Sequence, residues 1–322
     1  MPRCKFAAWL ARPDSRVAVV GASGWIGKGL IDQIMVSDPD LTPNRLRLFG
    51  SARRSLTAGG RDLEIEPLDD TTRLGDGDWL VVHAALVGVD RVDDGDLIEV
   101  RRRNDALMKQ VLALAETGAA RRLVFFSSGA AGRPDAGGPA KQAYARMKLE
   151  HEAELAAWAE RTGRAALTPR VFNLGGPYIT YAELYALTDF ILGLARHGRI
   201  AINAADPVFR SFVHVSEMAR VILDMAVDAA QSGEPFDVGG AEIVELGALA
   251  RAVGEALGLT DPAIDRPAPG KGPGDWYVGE GRRYQSALFQ RGERPTPLNR
   301  IIADTIAYLD ATGRLTGAEP FT

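Results

Sequence analysis

The feature that most constrains this chain is a short apolar run followed at once by three spaced glycines. Val17–Val20 leads into Gly21-Ala22-Ser23-Gly24-Trp25-Ile26-Gly27, after which a helical pattern begins. The first glycine permits a tight turn, the second lets backbone approach a phosphate, and the third lets the helix pack on the strand. The helix N-terminus adds free N–H groups and a dipole that favours an anion. The pattern predicts a dinucleotide site with contacts at Gly21, Ser23, Gly24, Trp25, Ile26 and Gly27, with Trp25 binding through its backbone.

Short β-rich runs alternate with helical patterns through the first half of the chain. The runs are 16–20, 45–49, 62–66, 79–82 and 123–126, and the helical segments are 25–36, 97–117 and 142–161. This alternation predicts an α/β fold with a doubly wound parallel sheet, the Rossmann fold. Beyond 174 the pattern loosens, which indicates a smaller C-terminal α/β substrate-binding domain. We expect the dinucleotide-binding domain to span 1–174, with 211–240 returning to it, and the substrate-binding region to span 175–210 and 241–322.

Composition excludes several classes of partner. A formal net charge of -4 gives no general basic field, so nucleic acid is not an expected partner. A single cysteine, Cys4, excludes an internal disulfide, and no apolar run is long enough to span a membrane. We therefore expect a cytoplasmic protein with neither a nucleic-acid nor a membrane partner.

The residues after the second predicted strand bear on the choice of cofactor. NAD enzymes of this architecture usually carry an acidic residue there, which binds the ribose hydroxyls. This chain reads Ser51-Ala52-Arg53-Arg54 instead. A hydroxyl and guanidinium groups would bind the 2′-phosphate that a carboxylate would repel. The segment favours NADP(H) over NAD(H), with contacts at Ser51, Arg53 and Arg54; the alternative is that the arginines only solvate a loop.

A Tyr-x-x-x-Lys pair provides candidate catalytic groups. Tyr144 and Lys148 are four positions apart in a predicted helix, so their side chains emerge on one face. A nearby ammonium stabilises a phenolate, which makes the tyrosine usable as a proton donor or acceptor near neutral pH. The pair follows a predicted strand that ends in Ser127-Ser128, at the sheet edge where doubly wound proteins bind ligands.

Taken in order, these motifs make the chain resemble the extended short-chain dehydrogenase/reductase family, which includes sugar-nucleotide epimerases, dehydratases and ketoreductases. The resemblance spans nearly the whole length. It rests on the segments Gly21–Gly27, Val82–Ala85, Asn104, Ser127-Ser128, Tyr144 with Lys148, Arg170–Asn173, Gly176-Pro177, Arg210–Val215, Phe236–Gly240 and a closing helix after Pro295.

The resemblance implies roles for individual residues. Ser128 would hydrogen-bond the substrate oxygen, Tyr144 would transfer its proton, and Lys148 would hold the nicotinamide ribose and tune Tyr144. Ser127 is the alternative for the serine role, because the loop from the serines to Tyr144 is shorter than usual in the family. The remaining implied contacts are Leu68, Asp69, His83, Ala84, Ala85 and Val171 for the cofactor, and Asn173 and Arg210 for the substrate. A homodimer through the segments 97–117 and 142–161 is also implied.

Four functions compete. The first is an NADPH-dependent ketoreductase acting on a small carbonyl substrate, by family analogy a nucleotide-linked keto-deoxysugar. An epimerase that retains its cofactor needs the same three residues. A 4,6-dehydratase is disfavoured, because Gly129-Ala130 stands where such relatives carry an Asp-Glu pair. A non-catalytic dinucleotide sensor would not need Ser128, Tyr144 and Lys148 together.

Two other features have ordinary structural interpretations. His83 and His214 lie at strand ends without a second ligand at metal spacing, so we expect packed histidines and no metal. The Pro/Gly-rich stretch Pro267–Gly281 is either a mobile loop over the substrate pocket or a plain surface linker.

Overall fold

The computed structural model describes residues 4–88, 97–117, 120–228, 231–268 and 270–316. The strands are β1 (Ser15–Val20), β2 (Leu46–Gly50), β3 (Arg54–Ala58), β4 (Arg61–Pro67), β5 (Asp78–His83), β6 (Arg122–Phe125), β7 (Ser127–Ser128), β8 (Ala165–Leu167), β9 (Pro169–Val171), β10 (Asn173–Gly175), β11 (Arg199–Ala201), β12 (Val208–His214), β13 (Phe236–Val238), β14 (Ile243–Glu245), β15 (Ala263–Asp265) and β16 (Asp275–Tyr277). The helices are α1 (Lys5–Leu10), α2 (Trp25–Ser37), α3 (Leu97–Thr117), α4 (Pro139–Thr162), α5 (Ala186–His197), α6 (Val215–Ala226), α7 (Leu246–Ala256), α8 (Arg282–Gln290) and α9 (Leu298–Ala311).

A seven-stranded sheet in the order β3-β4-β2-β1-β5-β6-β8 organises the first half. Strand β1 pairs in parallel with both β2 and β5, so the strand order reverses on either side of it. The edge strand β3 is the exception to the parallel pattern, since it forms an antiparallel hairpin with β4. The carboxyl ends of β1, β2 and β5 therefore meet at one edge, where ligands bind in sheets of this kind.

Helices cover both faces of this sheet. Along β1, Val17 and Val19 belong to a core that includes residues of α2 and α6, whereas Ala18 and Val20 belong to a second core with residues of α3 and α4. Alternate residues of a strand point to opposite faces, so the apolar run of β1 serves two cores. This arrangement confirms the predicted doubly wound α/β fold.

Smaller sheets extend the same edge into the second half of the chain. Strand β9 pairs in parallel with β7 and β13, and β12 pairs with β10, β14 and β16. Because β7 ends in Ser128 and β16 ends in Tyr277, these sheets bring distant parts of the chain to one place. The expected division at 174/175, with 211–240 returning, stays a prediction.

The sequence predicted the main elements of the first half and missed shorter ones. Each of the five predicted strands is present, as β1, β2, β4, β5 and β6. Strands β3 and β8 were not predicted. The Pro/Gly-rich stretch, of which Pro269 lies outside the described residues, is neither a free loop nor a linker over 275–277, because β16 pairs there with β12. None of the helices in the described ranges is long and apolar enough to cross a membrane.

Candidate active site

The turn after β1 is shaped to receive a phosphate group. Gly21 has a φ of +90°, a conformation that favours glycine, and its N–H donates to the Phe49 carbonyl at the end of β2 (2.9 Å). A Cβ at Gly21 would lie 2.5 Å from the backbone nitrogen of Ala85. The end of β5 therefore approaches the turn so closely that only glycine fits. The N–H of Ala84 donates to the Val20 carbonyl (2.8 Å), which fixes this approach.

The start of α2 adjoins this turn, and we call the two together, Gly21–Gly27, the glycine cradle. Gly24 is the N-cap, and no side chain caps the first turn. Free N–H groups at a helix start bind anions. A Cβ on Gly27 would run into the Gly21 carbonyl oxygen, so the third glycine brings helix and turn together. Gly21, Gly24 and Gly27 thus form the strand, tight turn and helix start that a pyrophosphate site needs, and cofactor contact stays a prediction for them.

Trp25 turns its ring away from this cradle. The indole N–H donates to the Pro177 carbonyl (2.7 Å), and the ring meets Tyr185 edge-on with centroids 5.3 Å apart. The ring thus packs the start of α2 against the second half of the chain. The ring is therefore engaged elsewhere, and a backbone contact of Trp25 with the cofactor stays a prediction. Ser23 and Ile26 are partly exposed beside it.

The connection from β2 to β3 presents the residues expected to read the cofactor's ribose. Ser51, Arg53 and Arg54 are all exposed. The Arg53 guanidinium forms an ion pair with Glu64 on β4, so its positive charge is partly neutralised within the protein. Arg54 has no such ion pair among the described residues.

A lysine that sequence reasoning did not single out lies near Arg54. Burial lowers the pKa of Lys28, on the first turns of α2, and the positive charges of Arg314 and Arg54 lower it further. Two further cations therefore lie close enough to Lys28 for their charges to act on it. Lys28, Arg54 and Arg314 come from α2, β3 and the end of the chain, so no local sequence pattern predicts that they lie close together.

The turn after β4 holds the two residues expected to contact adenine. The Leu68 N–H donates to the Gly50 carbonyl (3.1 Å), which ties the turn to the end of β2. The Asp69 carboxylate accepts hydrogen bonds from the Thr71 hydroxyl (2.7 Å), the Thr71 N–H (2.9 Å) and the Thr72 hydroxyl (3.1 Å). These bonds lower the pKa of Asp69, chiefly through the Thr71 hydroxyl. The carboxylate stabilises its own turn, and contact with adenine stays a prediction for both residues.

The two adjacent serines point into different environments. The Ser127 hydroxyl donates to the Glu152 carboxylate at 2.6 Å in the interior. The Ser128 oxygen lies 3.2 Å from the Tyr277 hydroxyl and accepts from the Ala130 N–H, also at 3.2 Å. Successive residues of a strand point to opposite faces, and β7 is two residues long. The Ser127 hydroxyl is thus held in the interior, while the Ser128 hydroxyl faces Tyr277, and contact with a substrate oxygen stays a prediction for Ser128.

Lys148 is a buried ammonium beneath the same edge. Its Nζ donates to the Phe126 carbonyl (3.0 Å) and lies 4.6 Å from the centre of the Phe125 ring. Burial lowers its pKa from 10.5 to about 8, while the negative charge of Glu152 opposes this shift. Tyr144, one helical turn earlier on α4, is partly buried. The helix thus brings the predicted tyrosine and lysine to one face below Ser127 and Ser128.

The two candidate histidines are packed residues. His83 is buried against the Phe125 ring with centroids 5.3 Å apart, and burial lowers its pKa to about 3. Its imidazole is therefore neutral, and contact of this residue with the cofactor stays a prediction. His214 caps α6, with Nδ1 accepting from the Ser216 N–H (3.1 Å). Within the described residues, no group of three or more potential metal ligands is present.

Tyr277 is a further residue that sequence reasoning missed. It lies on β16, its ring packs on Phe172 with centroids 4.8 Å apart, and Arg133 lies 5.2 Å from the ring centre. Burial raises the pKa of its hydroxyl, although the hydrogen bond with Ser128 opposes the shift. A tyrosine in a Pro/Gly-rich stretch carries no sequence signal of its own. Only the pairing of β16 with β12 reveals its position.

The residues expected on the substrate side take part in the same assembly. The Asn173 amide donates to the carbonyls of Ser211 (3.0 Å) and Tyr277 (3.4 Å). Arg210 forms an ion pair with Asp275 at 2.7 Å. Both therefore hold β16 in place, and direct contact with substrate stays a prediction for them. Val171 pairs in register with Ser128, next to the place expected for the nicotinamide.

Comparison with known proteins identifies the family. The model of the NAD dependent epimerase/dehydratase family matches residues 17–239, which is more than half of the chain. No curated protein sequence matches.

Several solved structures share the fold. UDP-N-acetylglucosamine 4-epimerase from Methanobrevibacter ruminantium M1, in complex with UDP-N-acetylmuramic acid, is 18% identical, with a TM-score of 0.70 over 94% of this chain and 100% of that one. UDP-glucuronic acid 4-epimerase from Bacillus cereus, in complex with NAD, is 16% identical, with a TM-score of 0.70 over 92% and 99%. A double mutant of dTDP-glucose 4,6-dehydratase from Streptomyces venezuelae, with NAD bound, is 20% identical, with a TM-score of 0.66 over 92% and 97%.

These identities show a common fold, while the family match covers the glycine turn, both serines, and Tyr144 with Lys148. The chain belongs to the NAD-dependent epimerase/dehydratase family and is an NAD(P)-dependent enzyme of the extended short-chain dehydrogenase/reductase type.

Proposed function

We propose that this enzyme epimerises a nucleotide-linked sugar and retains its nicotinamide cofactor through the cycle. The observation that carries the proposal is the position of Ser128, whose hydroxyl points away from the buried Glu152 and towards Tyr277 at the ligand-binding edge. Tyr144 and Lys148 share one face of α4 below it. The glycine cradle at the same edge supplies a cofactor site.

The three side chains divide the work on one carbinol. Ser128 donates a hydrogen bond to the sugar oxygen, and Tyr144 accepts the hydroxyl proton as the oxygen becomes a carbonyl oxygen. A bound nicotinamide supplies the acceptor, and later the donor, of the hydride. Lys148, as an ammonium, stabilises the tyrosine anion. After the sugar presents its other face, return of the hydride to the carbonyl carbon would invert that centre, and Tyr144 returns its proton to the oxygen.

The neighbourhood of Ser128 argues against the dehydratase alternative. A Cβ at Gly129 would lie 2.6 Å from the ring of Phe172. An acidic side chain at this position would require the Phe172 ring to move, which disfavours the acid that eliminating relatives carry here. The sequence and the packing agree on this point.

Net reduction by NADPH, the ketoreductase expectation, is the second candidate. Arg54 and Lys28 favour it, because cations beside the glycine turn suit a 2′-phosphate, and a phosphate-specific site suits reduction. The named enzymes among the similar structures are epimerases and dehydratases, which favours the first candidate. A preference for NADP(H) over NAD(H) forms part of our proposal under either candidate.

The substrate class and the oligomeric state also belong to this proposal. A nucleotide-linked sugar is inferred from the family and from the ligands of similar structures, such as UDP-N-acetylmuramic acid. A homodimer through α3 and α4 is supported by exposed apolar side chains on both helices, Ile98 at 81% and Leu149 at 39% exposed.

A substrate panel tests the function. The protein is incubated with UDP- and dTDP-linked hexoses and their keto-deoxy derivatives, with NADP⁺ or NADPH, and products are separated by chromatography. Epimerisation predicts an inverted product with no net change in the absorbance of reduced cofactor. Stoichiometric loss of NADPH with a keto substrate would instead establish the ketoreductase.

A further inference from the structure

Helix α4 carries a buried carboxylate, Glu152, on the same side as Lys148. Glu152 is 5% exposed and follows Lys148 by one helical turn. It accepts hydrogen bonds from the Ser127 hydroxyl (2.6 Å) and from two nitrogens of Arg170, Nε at 2.9 Å and Nη2 at 2.6 Å. Both oxygens are thereby held by donors from β7 and β9. The position of the Glu152 carboxylate is therefore set by β7 and β9.

The hydrogen-bond donors from Ser127 and Arg170 matter because a buried carboxylate stays charged only when protein groups replace its hydrogen bonds to water. A buried carboxylate without such donors would lose its charge. The two-pronged Arg170 contact and the Ser127 hydroxyl supply them. The Glu152 carboxylate in turn raises the pKa of the Arg170 guanidinium through the same hydrogen bonds.

Two other titratable groups of the described residues, His83 and His151, lie near Lys148, and neither carries a negative charge. His83, from β5, is neutral because burial lowers its pKa to about 3. Burial also lowers the pKa of His151, on α4, which lies at 2.8 Å from the Asp105 carboxylate on α3. Within the described residues, Glu152 is the anion whose charge acts on the Lys148 ammonium.

We propose that Glu152 is a positioning residue for the reaction, clamped by Ser127 and Arg170 so that its negative charge keeps Lys148 protonated and in place below Tyr144. Ser127 then serves catalysis through Glu152 and has no contact with substrate. The inference deepens the proposed function and rests on it for the role of Lys148. The arrangement of the clamp itself rests only on the contacts above.

The decisive variant is Glu152→Gln, which keeps the shape of the side chain and removes its charge. Without that charge the pKa of Lys148 falls, so the Lys148 ammonium loses its proton at a lower pH than in the wild type. With a wild-type pKa of about 8 and a fall of about one unit, turnover should decline from about pH 7, with roughly fivefold loss relative to wild type at pH 8 and little loss near pH 6. Glu150→Gln is the matched control, because Glu150 lies on the same helix but pairs with Arg101 at the surface.

Glu152→Asp keeps the charge and should restore most of the alkaline activity. Ser127→Ala leaves the Arg170 pair intact, so it should shift the profile in the same direction by a smaller amount. This variant also keeps the test open if Glu152→Gln does not fold, which circular dichroism checks.

A second readout is independent of turnover. In cofactor-free protein with ¹⁵N-labelled lysine, the Lys148 signal, assigned by its loss in Lys148→Met, should titrate at lower pH in Glu152→Gln than in wild type. An unchanged Lys148 titration in the folded variant would overturn the proposal. A shifted titration in a protein that epimerises no nucleotide sugar would support the clamp and refute the proposed function instead.

Discussion

Ser127 and Ser128 are neighbours in sequence but differ in what their hydroxyls can reach. Ser128→Ala should lower turnover by about a hundredfold, because it removes a donor aimed at the reacting oxygen. Ser127→Ala should cost less near pH 6, where Lys148 is protonated with or without full support from Glu152. Steady-state kinetics on both variants decide the matter, and a larger loss in Ser127→Ala at that pH would exchange the two roles.

Tyr144 and Lys148 should fail in different ways when replaced. Tyr144→Phe keeps the ring and removes the transferable proton, so turnover should be lost while cofactor affinity is preserved. Lys148→Ala should lower both, since the ammonium is expected to hold the nicotinamide ribose as well as to tune Tyr144. Cofactor fluorescence titration and turnover assays separate these results. Near-normal turnover in Tyr144→Phe would refute the catalytic assignment.

At the scale of residues, the sequence predicted the candidate groups but not their environments. The spacing of Tyr144 and Lys148 is local, so one helix is enough to predict their common face. The choice between Ser127 and Ser128 depends on Glu152 and Tyr277, which come from elsewhere in the chain. Their contacts form only when β7, β9 and β16 are in place, and no local pattern encodes that.

Among the elements, the connection from β2 to β3 carries the prediction on cofactor choice. Arg54→Ala should weaken NADPH binding by about tenfold or more, because loss of a charge-assisted contact costs roughly 1.5–3 kcal/mol. NADH binding should be nearly unchanged. Arg53→Ala is the matched comparison, and its effect should be smaller because Arg53 already pairs with Glu64. Equal losses for both cofactors would place the 2′-phosphate elsewhere.

The short turn after β7 carries a prediction on stability. Gly129→Ala would set a methyl group 2.6 Å from the Phe172 ring, and such overpacking costs roughly 1–3 kcal/mol of the free energy of unfolding. Gly132→Ala, in the same 3₁₀ turn (Gly129–Gly132), meets its nearest neighbour at 3.5 Å and should be nearly neutral. Urea unfolding of both variants measures the difference. Equal stability would mean that Phe172 moves freely.

Whether an element could be predicted depended on its burial. Strands β1 and β5 are apolar because helices cover both faces, so their sequences show it plainly. Strand β3 is a mostly exposed edge strand, Arg54–Ala58, and its polar sequence resembles a loop. Strand β16 is three residues long and follows prolines and glycines. For both, pairing with a neighbour determines the structure, and a single sequence does not display pairing.

On the scale of the whole molecule, the site is built by both halves of the chain. The glycine turn, Ser128, and Tyr144 with Lys148 come from the first half, while Tyr277 comes from the second. The doubly wound fold of the first half was predicted because its βα units repeat a regular pattern. The smaller sheets of the second half could not be predicted, since several of their strands are only three residues long. Substrate choice is expected to depend on this second half.

The most direct test of the account follows the hydrogen on the inverted carbon. A nucleotide sugar with deuterium at that carbon is incubated with the protein in ordinary water, and the product is examined by NMR and mass spectrometry. Transient oxidation with a retained cofactor predicts that the inverted product keeps its deuterium and that reduced cofactor does not accumulate or disappear. Loss of the label to solvent, or consumption of NADPH in step with product, would contradict the proposed epimerisation.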